Sequence, residues 1–186
     1  MIILASASPR RHEILSQAGV NFKVIPSNFD EASLEFTNID DYSKALSYHK
    51  AKDVFKDHPN DTVIASDTIV VINNEILGKP KDKEDAYRML NSLQGRKHVV
   101  ITSVCIMHQD KIDTFLSKSY VTFYKMTKEE INEYIETGEP MDKAGAYAIQ
   151  GKAAKYIRSI NGDYYTIVGL PIGKVIKSLK KLKALS

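Results

Sequence analysis

The sequence has few of the residues that build covalent or metal cross-links. Cys105 is the one cysteine among 186 residues, so neither an intrachain disulfide nor a cysteine-rich zinc site is possible, and a reducing compartment suits the chain. Its setting, HVVITSVCIM, reads as a buried strand rather than as the seat of a reactive thiol. The five histidines show no HxxxH spacing, which argues against a histidine metal site, and His98 reads as structural. No run of about 18 apolar residues occurs, so no membrane-spanning helix is expected. The first residues lack the basic-then-apolar order of a signal peptide, because the arginines follow the apolar stretch, and the expected location is cytoplasmic. Neither GxxxxGK nor GxGxxG is found, which excludes a Walker loop and a dinucleotide turn.

Positive charge is present but localised. Five lysines, Lys174, Lys177, Lys180, Lys181 and Lys183, lie in the last fifteen residues, which hold no acid. They account for more than the whole net charge of +3 and leave the first 171 residues at −2. Ile172, Val175, Ile176, Leu179 and Leu182 recur among them at helical spacing, which describes a terminal helix with a solvated face. No aromatic residues interleave with the lysines, as a single-strand-binding surface would require. Neither nucleic acid nor a membrane is an expected partner.

Strand and helix signals alternate from end to end, without repeats or low-complexity segments, and imply an α/β fold: a mixed twisted sheet flanked by helices, since hairpin signals intrude on the βαβ order. Residues 1–5 predict a buried strand and 9–18 a helix, with Ser8 as N-cap, Pro9 at the first helical position and Gly19 as the stop. Asp40 or Asp41 opens a second helix toward Pro59. In TVIASDTIVVINNEILGKP a strand is interrupted by polar residues, resumes, and turns at Asn73-Asn74. A helix over 82–93, two strands around QDK, and a helix with a Thr127/Glu130 capping box follow. Residues 139–152 predict a long irregular loop, Asn161-Gly162 a hairpin, and the lysine-rich segment the last helix.

The junction SASPRR carries the first chemical signal. A strand ending in small residues and turning into a Pro-initiated helix directs free N–H groups and a positive dipole end at one spot, which attracts anions. Arg10 and Arg11 in the first turn are unfavourable to that dipole unless an anion offsets them, so they point to phosphate; a surface pairing of Arg11 with Glu13 or a distant acid is the alternative. Asp67 interrupts an apolar strand, where a carboxylate costs several kcal/mol without a partner. Glu31 lies in the acidic turn FDEAS, Lys50 on the second helix, Lys79 in GKP, and Asp142 and Lys143 in the irregular loop. Two carboxylates among several cations suit a metal-bound polyphosphate.

SASPRR followed by EIL, DEAS, HKAK, ASDTIVV, GKP, LQGRKHVVIT, GEPMDKAGAYAIQG and GDYYTIVGLP resembles, over nearly the whole chain, the Maf family of nucleoside triphosphate pyrophosphatases, the septum-formation proteins. DKAGAYAIQG is similar to the branch acting on dTTP and UTP, although Ala148 stands where that branch commonly has glycine. The resemblance implies a single Maf-like domain over 1–186 of ITPase/Maf-like fold, with two lobes around a central cleft. It also implies metal-dependent hydrolysis of dTTP and UTP at the α–β bond to the monophosphate and pyrophosphate, with Mg²⁺ or Mn²⁺.

By the same resemblance Asp67 is the proton acceptor, Glu31 shares metal binding with it, and Lys79 belongs with the catalytic residues. Lys50 and Lys79 serve the phosphates together with Ser8 and Arg11. Arg10, Thr68 and Gln150 are tied to substrate choice, and Asp142 and Lys143 join the substrate-binding set. Gln150 has an amide that can accept from a uracil-type N3–H and donate to a neighbouring carbonyl, and flipped it meets cytosine's order too. A homodimer is the partner state the family suggests. Rival expectations are the same chemistry on modified nucleotides such as 7-methyl-GTP, cleavage at the terminal phosphate, and a non-enzymatic nucleotide-binding regulator of septum formation.

Overall fold

A computed structural model describes residues 1–186. The hydrogen-bonded strands lie in the order β2 (Lys23–Val24), β1 (Ile2–Leu4), β3 (Thr62–Ile72), β5 (Lys97–His108), β6 (Lys111–Phe123), β7 (Ile157–Asn161), with β4 (Glu75–Leu77) on β3, in a mixed sheet flanked by helices. The chain divides into two compact units, Met1–Asp67 with Thr102–Ser117 and Gly169–Ser186, and Thr68–Ile101 with Lys118–Val168. No helix is long and apolar enough to cross a membrane.

In the first unit β1 (Ile2–Leu4) lies parallel to β2 (Lys23–Val24) on one side, and to the start of β3 (Thr62–Ile72) on the other with Ile2 opposite Thr62. Between β1 and β2 runs α1 (Pro9–Gln17), which begins at Pro9 because a ring without N–H costs nothing at the first helical position. Gly19 follows its end at φ +73°, a value glycine adopts without strain. Next comes α2 (Ile39–Phe55), capped by the Asn38 side chain on the Asp41 N–H rather than by Asp40 or Asp41, which lie in its first turn and favour the dipole. Ala51 and Val54 of α2 pack on Ile3 of β1, on Ala5 just beyond it, on Val63 and Ala65 of β3 and on Cys105 and Met107. Those last two belong to β5 (Lys97–His108), which turns at Gln109 into β6 (Lys111–Phe123). Cys105 is fully buried, and burial pushes its thiol up to about 11. The terminal helix α6 (Ile172–Lys181) buries Val175 and Leu179 and leaves its lysines outward, as the spacing predicts.

Polar residues do not break β3, which runs unbroken through Ser66, Asp67 and Thr68. Its ladder continues because the Asp67 carboxylate finds a cation. In the second unit β3 turns at Asn73 and Asn74, φ 51° and 61°, into β4 (Glu75–Leu77), the left-handed pair of a tight hairpin. Two helices follow in chain order, α3 (Lys83–Leu93), capped by Asp82, and α4 (Lys128–Glu136), which carries the full Thr127/Glu130 capping box.

Residues 139–152 hold no regular helix or strand, as an irregular loop should, but short 3-10 turns occupy Glu139–Asp142 and Ala144–Ala146, and residues 145–149 are buried. The glycine and alanines that look like loop formers are there for close packing, since a Cβ on Gly145 would sit 2.8 Å from the Val70 side chain. No hairpin forms at Asn161-Gly162. There β7 (Ile157–Asn161), antiparallel to β6, ends at a Gly162 of φ +123° and the chain enters α5 (Tyr164–Val168).

His98 sits in the core of the second unit, 3% exposed, with Nε2 2.6 Å from the Tyr147 hydroxyl and its ring edge-on to Phe123. Burial pulls its pKa down to about 4. The unfolded chain, with an ordinary value near about 6.5, therefore binds the proton first as pH falls, so stability drops between about pH 6.5 and 4. Thermal melts across that window should show a shallower loss for His98→Gln than for the native protein.

Candidate functional site

The residues that follow β1 build a polar corner at the start of α1. Ser8 occupies the N-cap position of α1 with no side-chain cap bond, while its N–H donates to Ser6 Oγ at 3.2 Å. The first turn of α1 holds Arg10 and Arg11 and no acid. Arg11 does not settle on the surface with Glu13. Its Nε donates to the carbonyl of Gly169 at 2.8 Å and its Nη1 to Ser6 Oγ at 3.2 Å, and Ser66 Oγ donates to the same carbonyl at 2.9 Å. Gly169 has φ +131°, which explains the glycine. Burial lowers the Arg11 pKa, and the charges of Asp67 and Glu31 work against that.

Asp67, 9% exposed, is held by Lys50 of α2, whose Nζ lies 2.5 Å from Asp67 Oδ1 and 2.6 Å from Glu31 Oε1. Burial alone would lower the Lys50 pKa, but the charge of Asp67 and hydrogen bonds to both carboxylates outweigh it and raise it. One ammonium bridging two oxygens at these distances keeps them at most about 5 Å apart. Glu31 reaches this position from a single 3-10 turn, Glu31–Ser33, capped by Asp30 on the Ala32 N–H. The segment before it is tied to the same helix as Lys50: Asp53 accepts from Ser27 Oγ at 3.0 Å and from the Asn28 N–H at 2.8 Å, and Phe29 stacks on His49 at 5.0 Å.

Tyr42 belongs to this group as well. Its phenol is raised by partial burial and by the negative charges of Glu31 and Asp67. Sequence pattern gives no sign of Tyr42, Asp53 or His49, which look like ordinary helix residues. Ser6, Ser66 and Gly169 had a signal of sorts: two serines in apolar strands and a glycine in VGLP, each out of place by composition.

Within the first unit, then, the structure gathers Arg11, Glu31, Lys50 and Asp67, with Ser8 and Arg10 in the same turn as Arg11. Of the other candidates, all in the second unit, Thr68 follows Asp67 in β3 and is partly buried. Lys79 is exposed in the bend after β4, where the carbonyl of Gly78 accepts from the Gly145 N–H at 3.1 Å. Lys143 pairs with its neighbour Asp142 at 2.5 Å, with the lysine 14% exposed and the aspartate 73%. Gln150 stands exposed in the turn closed by the Gly151 N–H on the Ala148 carbonyl at 3.0 Å.

The mixed α/β sheet carries a buried acid clamped to a cation, beside an arginine-bearing helix start. The family model described as Maf-like protein matches residues 1–182, and the chain belongs to that family. Among its relatives, a protein of a Geobacillus species named dTTP/UTP pyrophosphatase is 45% identical over 181 residues, covering 97% of each chain. Proteins of the same name from Acholeplasma laidlawii and Clostridium botulinum are 45% and 47% identical, over 97% of this chain and 95% and 96% of their own. Among solved structures, a HAM1 protein from Coxiella burnetii aligns over 97% of this chain and 98% of its own, at 13% identity and a TM-score of 0.49.

Lys50→Met leaves a buried carboxylate without its cation. It should cost about 3 kcal/mol, the low end for a buried pair because both groups keep some solvent contact, and Lys50→Met/Asp67→Asn should recover most of it in denaturant melts. Since the folded Lys50 value lies above the unfolded one, the difference from the native protein holds below about pH 10.4 and shrinks as pH rises through the folded value.

Proposed function

We propose that this protein hydrolyses dTTP and UTP between the α and β phosphates, giving the nucleoside monophosphate and pyrophosphate, and that residues 1–186 act as one Maf-like domain. The observation that carries the reading is the Lys50 ammonium held between Asp67 and Glu31 in the unit that also fixes Arg11 at the start of α1. The activity named for the 43–47% identical relatives supports the substrate. Cleavage of a phosphoanhydride asks mainly for positioning and charge neutralisation, and this corner supplies fixed cations and helix N–H groups.

In this reading Ser8, Arg10, Arg11 and Lys50 bind phosphate oxygens, and Lys50 exchanges part of its carboxylate contact for the substrate. Asp67 takes the proton of the attacking water, while the bridging oxygen leaves with pyrophosphate. The assignments on the second unit follow the family resemblance: Lys79 to phosphate, Asp142 and Lys143 to substrate, Thr68 and Gln150, with Arg10, to substrate choice. Glu31 and Asp67 fit a hard divalent ion such as Mg²⁺ or Mn²⁺, since they are oxygen donors already converging on a cation and such ions commonly take only one or two carboxylates. Such an ion, when bound, neutralises charge on the phosphate oxygens, and these two residues would hold it. A methyl group is worth only about 1–3 kcal/mol of discrimination, so both dTTP and UTP should be substrates.

A panel of common and methylated triphosphates, with phosphorus products identified by ³¹P NMR, tests the assignment. Pyrophosphate from dTTP and UTP is the expected product; orthophosphate, or preference for 7-methyl-GTP, rejects it. Asp67→Asn should cut kcat by about 10²- to 10⁴-fold with nucleotide binding retained. Chelation should abolish turnover, with Mg²⁺ or Mn²⁺ restoring it. A native protein that binds nucleotide but releases no pyrophosphate would instead be a regulator.

A further inference from the structure

Both shoulders of the turn that carries Gln150 end on one pair of side chains. Tyr134 of α4, 2% exposed, donates its hydroxyl to Glu139 Oε2 at 2.6 Å and accepts the Ala148 N–H at 3.1 Å. Glu139 accepts the Lys152 N–H on both oxygens, each at 3.1 Å. The amides two residues before and two residues after Gln150 are thus fixed by the same Tyr134–Glu139 unit, while the Gln150 side chain is exposed.

The pair is itself well anchored. The Glu139 N–H donates to Thr137 Oγ1 at 3.2 Å, which in turn donates to the Tyr134 carbonyl at 2.6 Å. Gly151 makes room for the carboxylate, since a Cβ there would lie 2.1 Å from Glu139 Oε1. Burial and the bond to Glu139 raise the Tyr134 phenol far above its usual range, so it donates at any working pH. Neither contact is required by the helix, whose start has its own capping box, nor by the ring, which packs edge-on to Tyr156 at 6.2 Å. The polar ends of both side chains are given over to the turn.

We infer that Tyr134 and Glu139 are positioning residues for Gln150 and that their grip on its turn holds the amide in place for a uracil-type base. The inference rests on the assignment of Gln150 to the base. The amide can turn about its own Cγ–Cδ bond to offer acceptor and donor in either order, so the anchored backbone fixes where the amide stands and not which order it presents. A loosened turn adds an ordering cost to each binding event and weakens the contact to the base.

The test compares kcat and KM for UTP in the native protein, Tyr134→Phe, Gln150→Ala and the double variant. Tyr134→Phe keeps the ring and removes only the hydroxyl. It should raise KM for UTP about tenfold, with kcat within about twofold of native. The double variant should match Gln150→Ala alone, since nothing is left to position. An unchanged KM in Tyr134→Phe, or losses that multiply in the double variant, overturns the inference. If Tyr134→Phe does not fold, Glu139→Gln is compared in the same way. Failure of the native protein to release pyrophosphate from UTP overturns the proposed function first and this inference with it, and so is distinguishable from an unchanged KM alone.

Discussion

A carboxylate in the middle of an apolar strand is the constraint around which the first unit is arranged. Asp67 without a partner would cost several kcal/mol, so α2 must cross β3 where Lys50 can reach it. That requirement fixes the helix's rotation, and Ala51 and Val54 turn to the core on the same account. The helix then presents His49 and Asp53, one turn apart, to the segment before Glu31, which brings a second carboxylate onto the same ammonium. Strand, helix and loop are joined through one charge.

Such an arrangement is poised rather than merely stable. A buried ion pair contributes little net stability against an apolar replacement, and its retention makes most sense where the charges have another use. Arg11 is treated the same way: two hydrogen bonds to Gly169 and Ser6 hold the guanidinium against desolvation before any anion arrives. Groups fixed in advance need little reorganisation when charge develops beside them.

In the second unit rigidity comes from small residues and one acid rather than from regular structure. Gly145 lies against Val70 where no side chain fits, and Gly151 leaves space for Glu139. The segment 139–152 has little periodicity and many turn formers, so it reads as an irregular loop in one dimension. In three it is a set of 3-10 turns with five consecutive buried residues, Gly145 to Ile149, and Ala148 in place of a glycine is among them. Hairpin expectation failed at Asn161-Gly162 for a related reason: the local turn chemistry was right, but the chain beyond it enters a helix rather than a pairing strand.

The order of strands and helices, the start of α1 at Pro9, the capping box at Thr127, the left-handed Asn73-Asn74 turn and the anomaly of Asp67 were all legible in the sequence, because each depends on residues within a turn or two of one another. The motif blocks likewise carried the family. Which cation would answer Asp67, where Arg11 would anchor, and that Asp53, His49, Ser6, Ser66 and Gly169 support them were decided only by folding. Apart from Ser6, which lies five positions before Arg11, those contacts join residues 17 to 158 positions apart, and no local preference encodes a partner that only packing brings near.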